Sequence, residues 1–219
     1  SGGNIDGALL LFSNSVHELA TGSRLTKQKQ NQLKSIEWSR KEIFVSAPGT
    51  GYYFPIIYWP QALGLTMGKK LDWTVYDSYQ VSRFFTLLVC FLLIFTAFKI
   101  LPPNPLVIAL LMLPMVLFQA ISTSLDGLVL ALTILTLSIF HRLATSNGYQ
   151  SNSLFIVFSV ALIMLLTARV NLLPLLLLPA ALWWKHRSSR FFLATIVISL
   201  IAAAWTLVAA MSVIDLRTH

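Results

Sequence analysis

The stretch FFTLLVCFLLIFTAFKI, which runs from Phe84 to Ile100, decides the fold class of this chain. Its seventeen residues include a single charged side chain, Lys99. As an α-helix with a rise of about 1.5 Å per residue, it would extend roughly 25 Å, close to the roughly 30 Å hydrocarbon core of a bilayer. The stretch therefore predicts a membrane-spanning helix.

Five more apolar runs follow it in close order, so we predict an all-α, polytopic transmembrane bundle with about six membrane segments. The second and fifth runs contain proline, and the third and fifth are short for a bilayer. These runs either span with help from polar ends or form partial helices packed inside the bundle. The six predicted runs are 84–100, 106–121, 127–140, 154–168, 172–184 and 191–214.

Composition excludes a water-soluble fold for most of the chain. The 219 residues are 56% hydrophobic and 11% charged, whereas a soluble domain has about 25% charged residues. Between Ser78 and Ile214 the one acidic residue is Asp126. The net charge of +8 does not predict nucleic-acid binding, because the basic residues lie in the N-terminal segment and at the ends of apolar runs, as in membrane proteins.

The N-terminal third is polar and rich in aromatic residues. We predict that residues 1–80 form an extracytoplasmic loop region with short helices, followed by a transmembrane region at 81–219. Proline interrupts the aromatic stretch from Tyr52 to Pro60 too often for a spanning helix. The expected local structure is a helix at 5–19, a helical or irregular segment at 26–42, a loop at 46–51 and a short helix at 61–68.

The distribution of basic residues gives an orientation. If the N-terminal region is outside, five basic residues fall in the cytoplasmic loops and two in the short outer loops, which agrees with the positive-inside rule. We therefore predict a multi-pass membrane protein whose N-terminal region is extracytoplasmic. The cytoplasmic set is Lys99, Arg142, Lys185, Arg187 and Arg190, and the outer set is Arg169 and Arg217.

Asp126 is the strongest candidate for a functional residue. It lies in a polar stretch, Ser122 to Asp126, between two apolar runs, and ionised groups near bilayer depth tend to be functional because their burial is costly. Capping of the following helix is the alternative. On the same predicted side, Arg169 and Arg83 could each hold a phosphate through the guanidinium or anchor the chain at the lipid headgroups.

Two further features of the N-terminal region could take part in a site. Asp6 precedes the first predicted helix and is interpreted either as a general base for a hydroxyl group or as a helix cap. The aromatic rings, including Tyr53 and Tyr58, could form an interfacial belt, stack on a sugar or line a lipid groove. No phosphate-binding loop, zinc-ligand spacing or nucleophile elbow is present, so we predict no cofactor or metal.

The stretch YFPIIYWPQALG, from Tyr53 to Gly64, resembles the Y-x-P-x-x-Y-x-P-Q-A-x-G block of DUF2142, a family of bacterial membrane proteins. Four further matches follow in the family's order. They are Arg83 at a helix start, Leu113-Pro114-Met115, Ser122-Thr123-Ser124-Leu125-Asp126, and Arg169 before an apolar run with proline.

This family resembles the GT-C class of membrane glycosyltransferases, which take a sugar from a polyprenyl-phosphate carrier. The resemblance implies that Asp6 and Asp126 are catalytic and that Arg83, Arg169, Tyr53 and Tyr58 bind substrate. In the first loop the chain departs from the family pattern, since Gly7 follows Asp6 and Leu10 stands where the family often has histidine. The resemblance also implies an additional helix before the chain and further helices after it.

Three functions follow from these expectations. The first is transfer of a sugar from a polyprenyl phosphate to an envelope acceptor, with Asp6 as the base, Asp126 orienting the acceptor or its loop, and the arginines holding the departing phosphate. The second is a transporter or lipid-binding permease, because proline-broken helices commonly build transport sites. The third is a non-catalytic subunit of a polysaccharide assembly complex. Membrane lipids are expected partners in all three.

Overall fold

A computed structural model describes residues 2–20, 24, 26–46, 53–145 and 152–214 of the chain, without the side chains of 19, 20 and 212–214. Apart from residue 46, the predicted loop at 46–51 lies outside these ranges. Arg217 also lies outside them. In chain order the elements are strand β1 (Gly2–Asp6), helices α1 (Gly7–Ala20) and α2 (Lys27–Lys34), strand β2 (Glu42–Ser46), a 3-10 helix (Pro55–Tyr58), α3 (Trp59–Lys70), α4 (Val75–Ile100), α5 (Pro105–Leu111), α6 (Pro114–Ile121), α7 (Leu125–Thr145), α8 (Asn152–Ala168), a second 3-10 helix (Val170–Leu176), α9 (Leu177–His186) and α10 (Ser189–Ile214).

The prediction of a helical fold is confirmed, with one exception in the N-terminal region. Strands β1 and β2 pair antiparallel, from Gly2 opposite Ser46 to Asp6 opposite Glu42. The first helix therefore begins at Gly7 and not at Ile5. Pairing with a strand forty residues away is a tertiary effect that local helical periodicity does not show.

The structure does not confirm about six membrane spans. Within the described part of the chain, three helices are long and apolar enough to cross a membrane, namely Val75–Ile100, Leu125–Thr145 and Ser189–Met211. Helix α8, Asn152–Ala168, is apolar but shorter. Because α4 begins at Val75, the boundary predicted between residues 80 and 81 falls inside a continuous helix.

Proline explains why two predicted runs do not form single helices. The second run divides into α5 and α6 at Leu113, whose backbone is extended just before Pro114. A proline disfavours helical geometry in the residue before it and lacks the N–H of an interior helical residue. The fifth run begins as a 3-10 helix that contains Pro174, and its α-helical part starts only at Leu177.

Three buried apolar clusters are found among the described residues: one joins α1, α2 and the start of α4 through Phe12, Leu33 and Val75, and the other two hold the remaining helices together. The inner cluster joins α7 through Ile139, α8 through Phe158 and Leu162, and α10 through Ile198, all of them at most 1% exposed. The outer cluster joins Ile57 of the first 3-10 helix to the beginning of α7 and the end of α8. Its buried members are Ile57, Cys90, Leu125, Leu128, Ala131, Leu132, Ala161, Leu165 and Ala168.

Helices α3 and α4 lie unusually close because small residues face each other. A methyl group added to Gly64 would overlap the backbone of Ser82, and one added to Gly68 would overlap the Ser78 side chain. Ser78 and Ser82 are both buried, and the Ser82 hydroxyl donates to the Gln61 carbonyl oxygen at 2.9 Å. Glycine thus permits the contact that fixes α3 on the first half of α4.

Basic residues connect several elements at one end of the bundle. At one end, Lys185 donates to the Ala144 carbonyl oxygen, and Arg190 donates to the Asn152 side chain at 2.9 Å. These bonds gather the end of α7, the start of α8 and the α9–α10 connection. The start of α7 and the end of α8 lie at the other end, which is named the site end. It also carries the stretch from Tyr53 to Gly64, which is named the aromatic block.

Candidate functional site

Asp126 and Arg169 form an ion pair at the site end. Asp126 is in the first turn of α7, and Arg169 directly follows the last residue of α8. The Arg169 guanidinium donates to the Asp126 carboxylate. Both side chains remain partly exposed, at 34% and 45%, so the pair is open to solvent or to a ligand. The expectation that the two residues share one side of the bundle is confirmed.

Tyr53 and Tyr58 extend the site from this ion pair. The Arg169 guanidinium carbon lies 5.4 Å from the centre of the Tyr53 ring, within the range of a cation–π contact. The Tyr53 ring meets the Tyr58 ring edge to face, with 6.3 Å between centres. The predicted residues Asp126, Arg169, Tyr53 and Tyr58 therefore lie in one continuous series of contacts.

The aromatic block is held in place by its neighbours in the bundle. The Phe54 N–H donates to the Thr167 carbonyl oxygen at 3.4 Å, next to the end of α8. The Phe54 ring packs edge to face on Trp205 of α10, with centres 4.8 Å apart. Ile57 is 2% exposed in the outer apolar cluster. The buried Ile57 and the two contacts of Phe54 anchor the segment between Tyr53 and Tyr58, and both tyrosines are half-buried.

Arg83 lies on α4 and contacts the polar stretch that precedes Asp126. Its Nε donates to the Ile121 carbonyl oxygen at 3.2 Å, and its NH1 donates to Gln80 at 3.1 Å. On the previous turn of α4, the Tyr79 hydroxyl lies 3.5 Å from the Thr123 hydroxyl. The structure therefore connects Arg83 to the α6–α7 connection, and its described hydrogen bonds do not join it to the ion pair.

The polar stretch itself has a compact hydrogen-bonded form. The Ser122 hydroxyl bonds to the Ser124 hydroxyl at 2.8 Å, and the Gln119 carbonyl oxygen accepts from both serines. Gly127 packs against the Gln119 carbonyl, where a side chain would not fit. These contacts fix the start of α7 and so fix the direction of Asp126. Its position in the first turn also places its negative charge at the positive end of the helix dipole.

Asp6 occupies a different environment. Its carboxylate accepts hydrogen bonds from three backbone N–H groups and one hydroxyl, and it pairs with Lys69 of α3 at 3.1 Å. The residue is 5% exposed. The donors are Ala8 N at 3.0 Å, Ser39 N at 3.0 Å, the Ser39 hydroxyl at 2.6 Å and Arg40 N at 2.9 Å.

This environment lowers the pKa of the Asp6 carboxyl group. Burial by itself raises the pKa of the carboxyl group, but the hydrogen bonds from Ser39, Ala8 and Lys69 favour the charged form and hold the pKa well below its usual value of 3.8. A general base has to accept a proton, which here would break several of these bonds. The geometry therefore favours a structural role for Asp6, which joins β1, the 39–40 turn and α3, over the predicted role as a base.

A cavity of about 460 Å³ lies beside the site and between the N-terminal region and α3–α4. Tyr58 lines it, so the cavity adjoins the tyrosine pair. Gln61, Ser82 and Thr123 supply polar groups to its wall. We did not predict these three residues as site residues, although Gln61 is a polar residue in the otherwise apolar first half of α3. That position was the available signal.

The described residues include no group of three or more His, Cys, Asp or Glu side chains that could hold a metal ion. The absence of a cofactor remains a prediction.

In comparisons with other proteins, no curated protein and no solved structure matches the chain. The family model described as "Predicted membrane protein (DUF2142)" matches residues 8–217, which is nearly the whole chain. The chain therefore belongs to the DUF2142 family of predicted membrane proteins.

Proposed function

We propose that this protein is a membrane glycosyltransferase that moves a sugar from a polyprenyl-phosphate carrier to an envelope acceptor. The observation that carries the proposal is the arrangement of a partly exposed carboxylate, a guanidinium and two tyrosine rings at one end of a membrane bundle. A lipid-linked sugar phosphate presents complementary groups, since it has an anion, a sugar ring and a hydrocarbon tail in the bilayer.

Arg169 would bind the phosphate of the carrier. A guanidinium binds phosphate oxygens through parallel hydrogen bonds, and Arg169 is held by Asp126 and Tyr53 in a position that is open to a ligand. An incoming phosphate would compete with Asp126 for the guanidinium. Binding of the donor would then release the Asp126 carboxylate from its ion pair. The free carboxylate would lie beside the bound donor, where it could accept a proton.

Asp126 would accept the proton of the acceptor hydroxyl group. As the hydroxyl oxygen forms a bond to the anomeric carbon, the bond from that carbon to the phosphate oxygen breaks, and the electron pair leaves with the phosphate. Configuration at the anomeric carbon inverts, the proton passes to Asp126, and Arg169 stabilises the charge on the polyprenyl phosphate that departs. No metal is required to balance this step.

Three predicted roles change in this proposal. Asp126 becomes the base, whereas it was expected to orient the acceptor or its loop. Asp6 is assigned to holding the N-terminal hairpin on α3, because its carboxylate already accepts hydrogen bonds from Ala8, Ser39 and Arg40. Arg83 is assigned to positioning the connection before α7, because it donates to the Ile121 carbonyl oxygen. Neither Asp6 nor Arg83 would touch the reacting atoms.

The proposed location is the outer face of a bacterial plasma membrane. In this orientation the site end faces the extracytoplasmic side, and the opposite end, with Lys185 and Arg190, faces the cytoplasm. The basic residues Lys185 and Arg190 at that opposite end support this orientation, because the positive-inside rule places such residues in the cytoplasm. A lipid-linked sugar that has been moved to the outer leaflet would be the donor.

The proposal is tested by sugar transfer from a labelled lipid donor in membranes that contain the full-length protein. Asp126→Asn should lower transfer by roughly 100-fold or more, since general base catalysis contributes about that much. Glu37→Gln, an exposed acid outside the site, is the matched control and should leave transfer unchanged. Lipid-linked and surface glycans, compared by mass spectrometry with and without the protein, identify the product. Equal transfer by Asp126→Asn and the wild type would contradict the mechanism.

A transporter or lipid-binding permease is the second candidate. The observation that favours it is the pair of helix breaks, at Leu113–Pro114 and in the 3-10 helix that contains Pro174, since broken helices commonly build transport sites. In proteoliposomes, flux of a lipid or glycan that depends on Asp126, without a new glycosidic product, would select this function. A new product formed by the purified protein would select the first.

A further inference from the structure

Gln61 has an unusual position in the cavity beside the site. The residue is 7% exposed, and within the part of the chain that the structure describes, its amide nitrogen and amide oxygen are the buried polar side-chain atoms without a hydrogen-bond partner. The residue lines the cavity, so a change of its side-chain rotamer would turn the buried amide towards a ligand there, while its backbone is fixed because its carbonyl oxygen accepts the Ser82 hydroxyl. A buried amide without partners is costly, so such groups usually meet a ligand or ordered water.

The chemistry of an amide limits what can fill this place. A primary amide offers N–H donors on one side and a carbonyl acceptor on the other. A hydrocarbon chain can neither donate nor accept a hydrogen bond, so the amide would remain buried without partners. Two neighbouring hydroxyl groups satisfy both, because one donates to the amide oxygen and the other accepts from the amide nitrogen.

The wall that α1 contributes to the cavity is mostly apolar. It is formed by Leu9, Leu10, Phe12 and Val16, with Ser13 as the one polar residue of α1 that lines it. The Phe12 ring also contacts the Tyr79 ring, with 5.6 Å between centres. A ligand for this cavity therefore needs one apolar face and one edge that carries hydroxyl groups. A pyranose ring has this form, since its C–H groups lie on a face and its hydroxyl groups lie at the rim.

We propose that the cavity between α1 and α3–α4 is a saccharide-binding site in which the Gln61 amide bonds two neighbouring hydroxyl groups of one sugar unit. Tyr58 lines the cavity and contacts Tyr53, which contacts Arg169, so the saccharide lies one tyrosine pair away from the ion pair. The assignment of this saccharide as the acceptor rests on the proposed function, whereas binding of the saccharide does not.

The test is saturation-transfer difference NMR of the full-length protein in nanodiscs of phosphatidylglycerol and phosphatidylethanolamine, with a panel of methyl hexopyranosides as probes. At least one glycoside should receive saturation, while the acyclic polyol sorbitol should not. In Gln61→Leu the dissociation constant of that glycoside should rise at least tenfold. Gln28→Leu, at an exposed glutamine of α2, is the matched control and should bind as the wild type does.

Two further readouts separate loss of the site from loss of the fold. Without a glycoside, Gln61→Leu should melt at or above the temperature of the wild type, because the variant removes an amide that has no partner in the protein. Leu9→Trp, which fills the cavity from the wall that α1 contributes and keeps Gln61, should also abolish binding. Arg169→Gln should bind the glycoside normally even where sugar transfer is lost.

Three results would overturn the inference. They are no saturation of any methyl glycoside by the wild type, equal affinity in Gln61→Leu and the wild type, or a lower melting temperature of glycoside-free Gln61→Leu. Equal affinity would mean that water forms the hydrogen bonds of the Gln61 amide. A lower melting temperature would mean that other groups of the protein form them. If glycoside binding depends on Gln61 but Asp126→Asn transfers sugar normally, the saccharide site stands and the proposed mechanism fails.

Discussion

The Arg169 guanidinium and the Asp126 carboxylate, forty-three positions apart in the chain, form an ion pair at one end of the membrane bundle. The pair joins the end of α8 to the beginning of α7 at the place where the aromatic block covers both. A partly exposed pair of this kind is easily opened by a competing anion. The predictions below test what the pair does and what holds the surrounding structure in place.

The ion pair should contribute little to stability. Because its side chains are 34% and 45% exposed, solvent screens their attraction, and such pairs are worth about 1 kcal/mol or less. We expect Asp126→Asn, Arg169→Gln and the double variant each to change the melting temperature of the purified protein by only a few degrees. A loss of more than about 3 kcal/mol in either single variant would show that the pair is structural, and the loss of transfer would then have to be attributed to unfolding.

Asp6 should make the stability of the N-terminal region depend on pH. Its pKa is lowered on folding, so its contribution is fully present above the usual value of 3.8 and is lost as the pH falls below it. At pH 7 we expect Asp6→Asn to lose about 1–3 kcal/mol, since Arg40 N and Lys69 would face an amide. The measurement is the difference in melting temperature between the variant and the wild type, from pH 7 to pH 3.

That difference should be constant from pH 7 to about pH 5 and should shrink towards pH 3 as the wild type begins to lose its advantage. Glu37→Gln, at an exposed glutamate, should differ little from the wild type at any pH in this range. If Asp6→Asn is as stable as the wild type at pH 7 and loses sugar transfer, Asp6 takes part in the reaction and the structural assignment is wrong.

Gly64→Ala should destabilise the contact between α3 and α4. The added methyl group would overlap the Ser82 backbone, so the helices must separate, at a cost of about 1–3 kcal/mol. The measurement is thermal unfolding of the purified protein. Gly3→Ala is the matched control, because a methyl group there meets nothing within 4 Å. Equal melting temperatures of the two variants would show that α3 and α4 are not held at the distance described.

The sequence predicted the membrane class, the helical fold and the shared side of Asp126 and Arg169, while Tyr53 and Tyr58 were assigned to the site by the family resemblance. Long apolar runs and the scarcity of acids are visible along the chain, and the lone Asp126 stands out against them. The shared side of Asp126 and Arg169 followed from counting the segments between them. These features depend on local composition and on the fact that successive membrane segments run in opposite directions. Both can be derived from a single sequence.

Other features depend on contacts between distant residues and could not be predicted in this way. The β1–β2 pairing joins segments forty residues apart, and it changes both the start of α1 and the environment of Asp6. Arg83 was expected to hold a phosphate or to anchor the chain at the lipid headgroups, and its hydrogen bond to the Ile121 carbonyl oxygen, thirty-eight positions away, could not be derived from the sequence. Gln61 was visible in the aromatic block, yet its missing partners become apparent only when its surroundings are known.

Tyr53 should support donor binding through its ring rather than its hydroxyl group. The ring faces the Arg169 guanidinium at 5.4 Å, and such a contact is worth about 0.5–2 kcal/mol. We expect Tyr53→Phe to transfer sugar at close to the wild-type rate and Tyr53→Leu to raise the apparent Michaelis constant for the lipid donor severalfold. A larger loss in Tyr53→Phe than in Tyr53→Leu would assign the role to the hydroxyl group instead.

The central claim is that Arg169 binds the phosphate of a polyprenyl carrier. Its most direct test is the dissociation constant of a short-chain isoprenyl phosphate for the full-length protein in nanodiscs, measured for the wild type, Arg169→Gln and Arg190→Gln. Arg190 lies at the opposite end of the bundle and serves as the matched control. The account predicts at least tenfold weaker binding in Arg169→Gln and unchanged binding in Arg190→Gln. Equal affinity in the wild type and Arg169→Gln would contradict it.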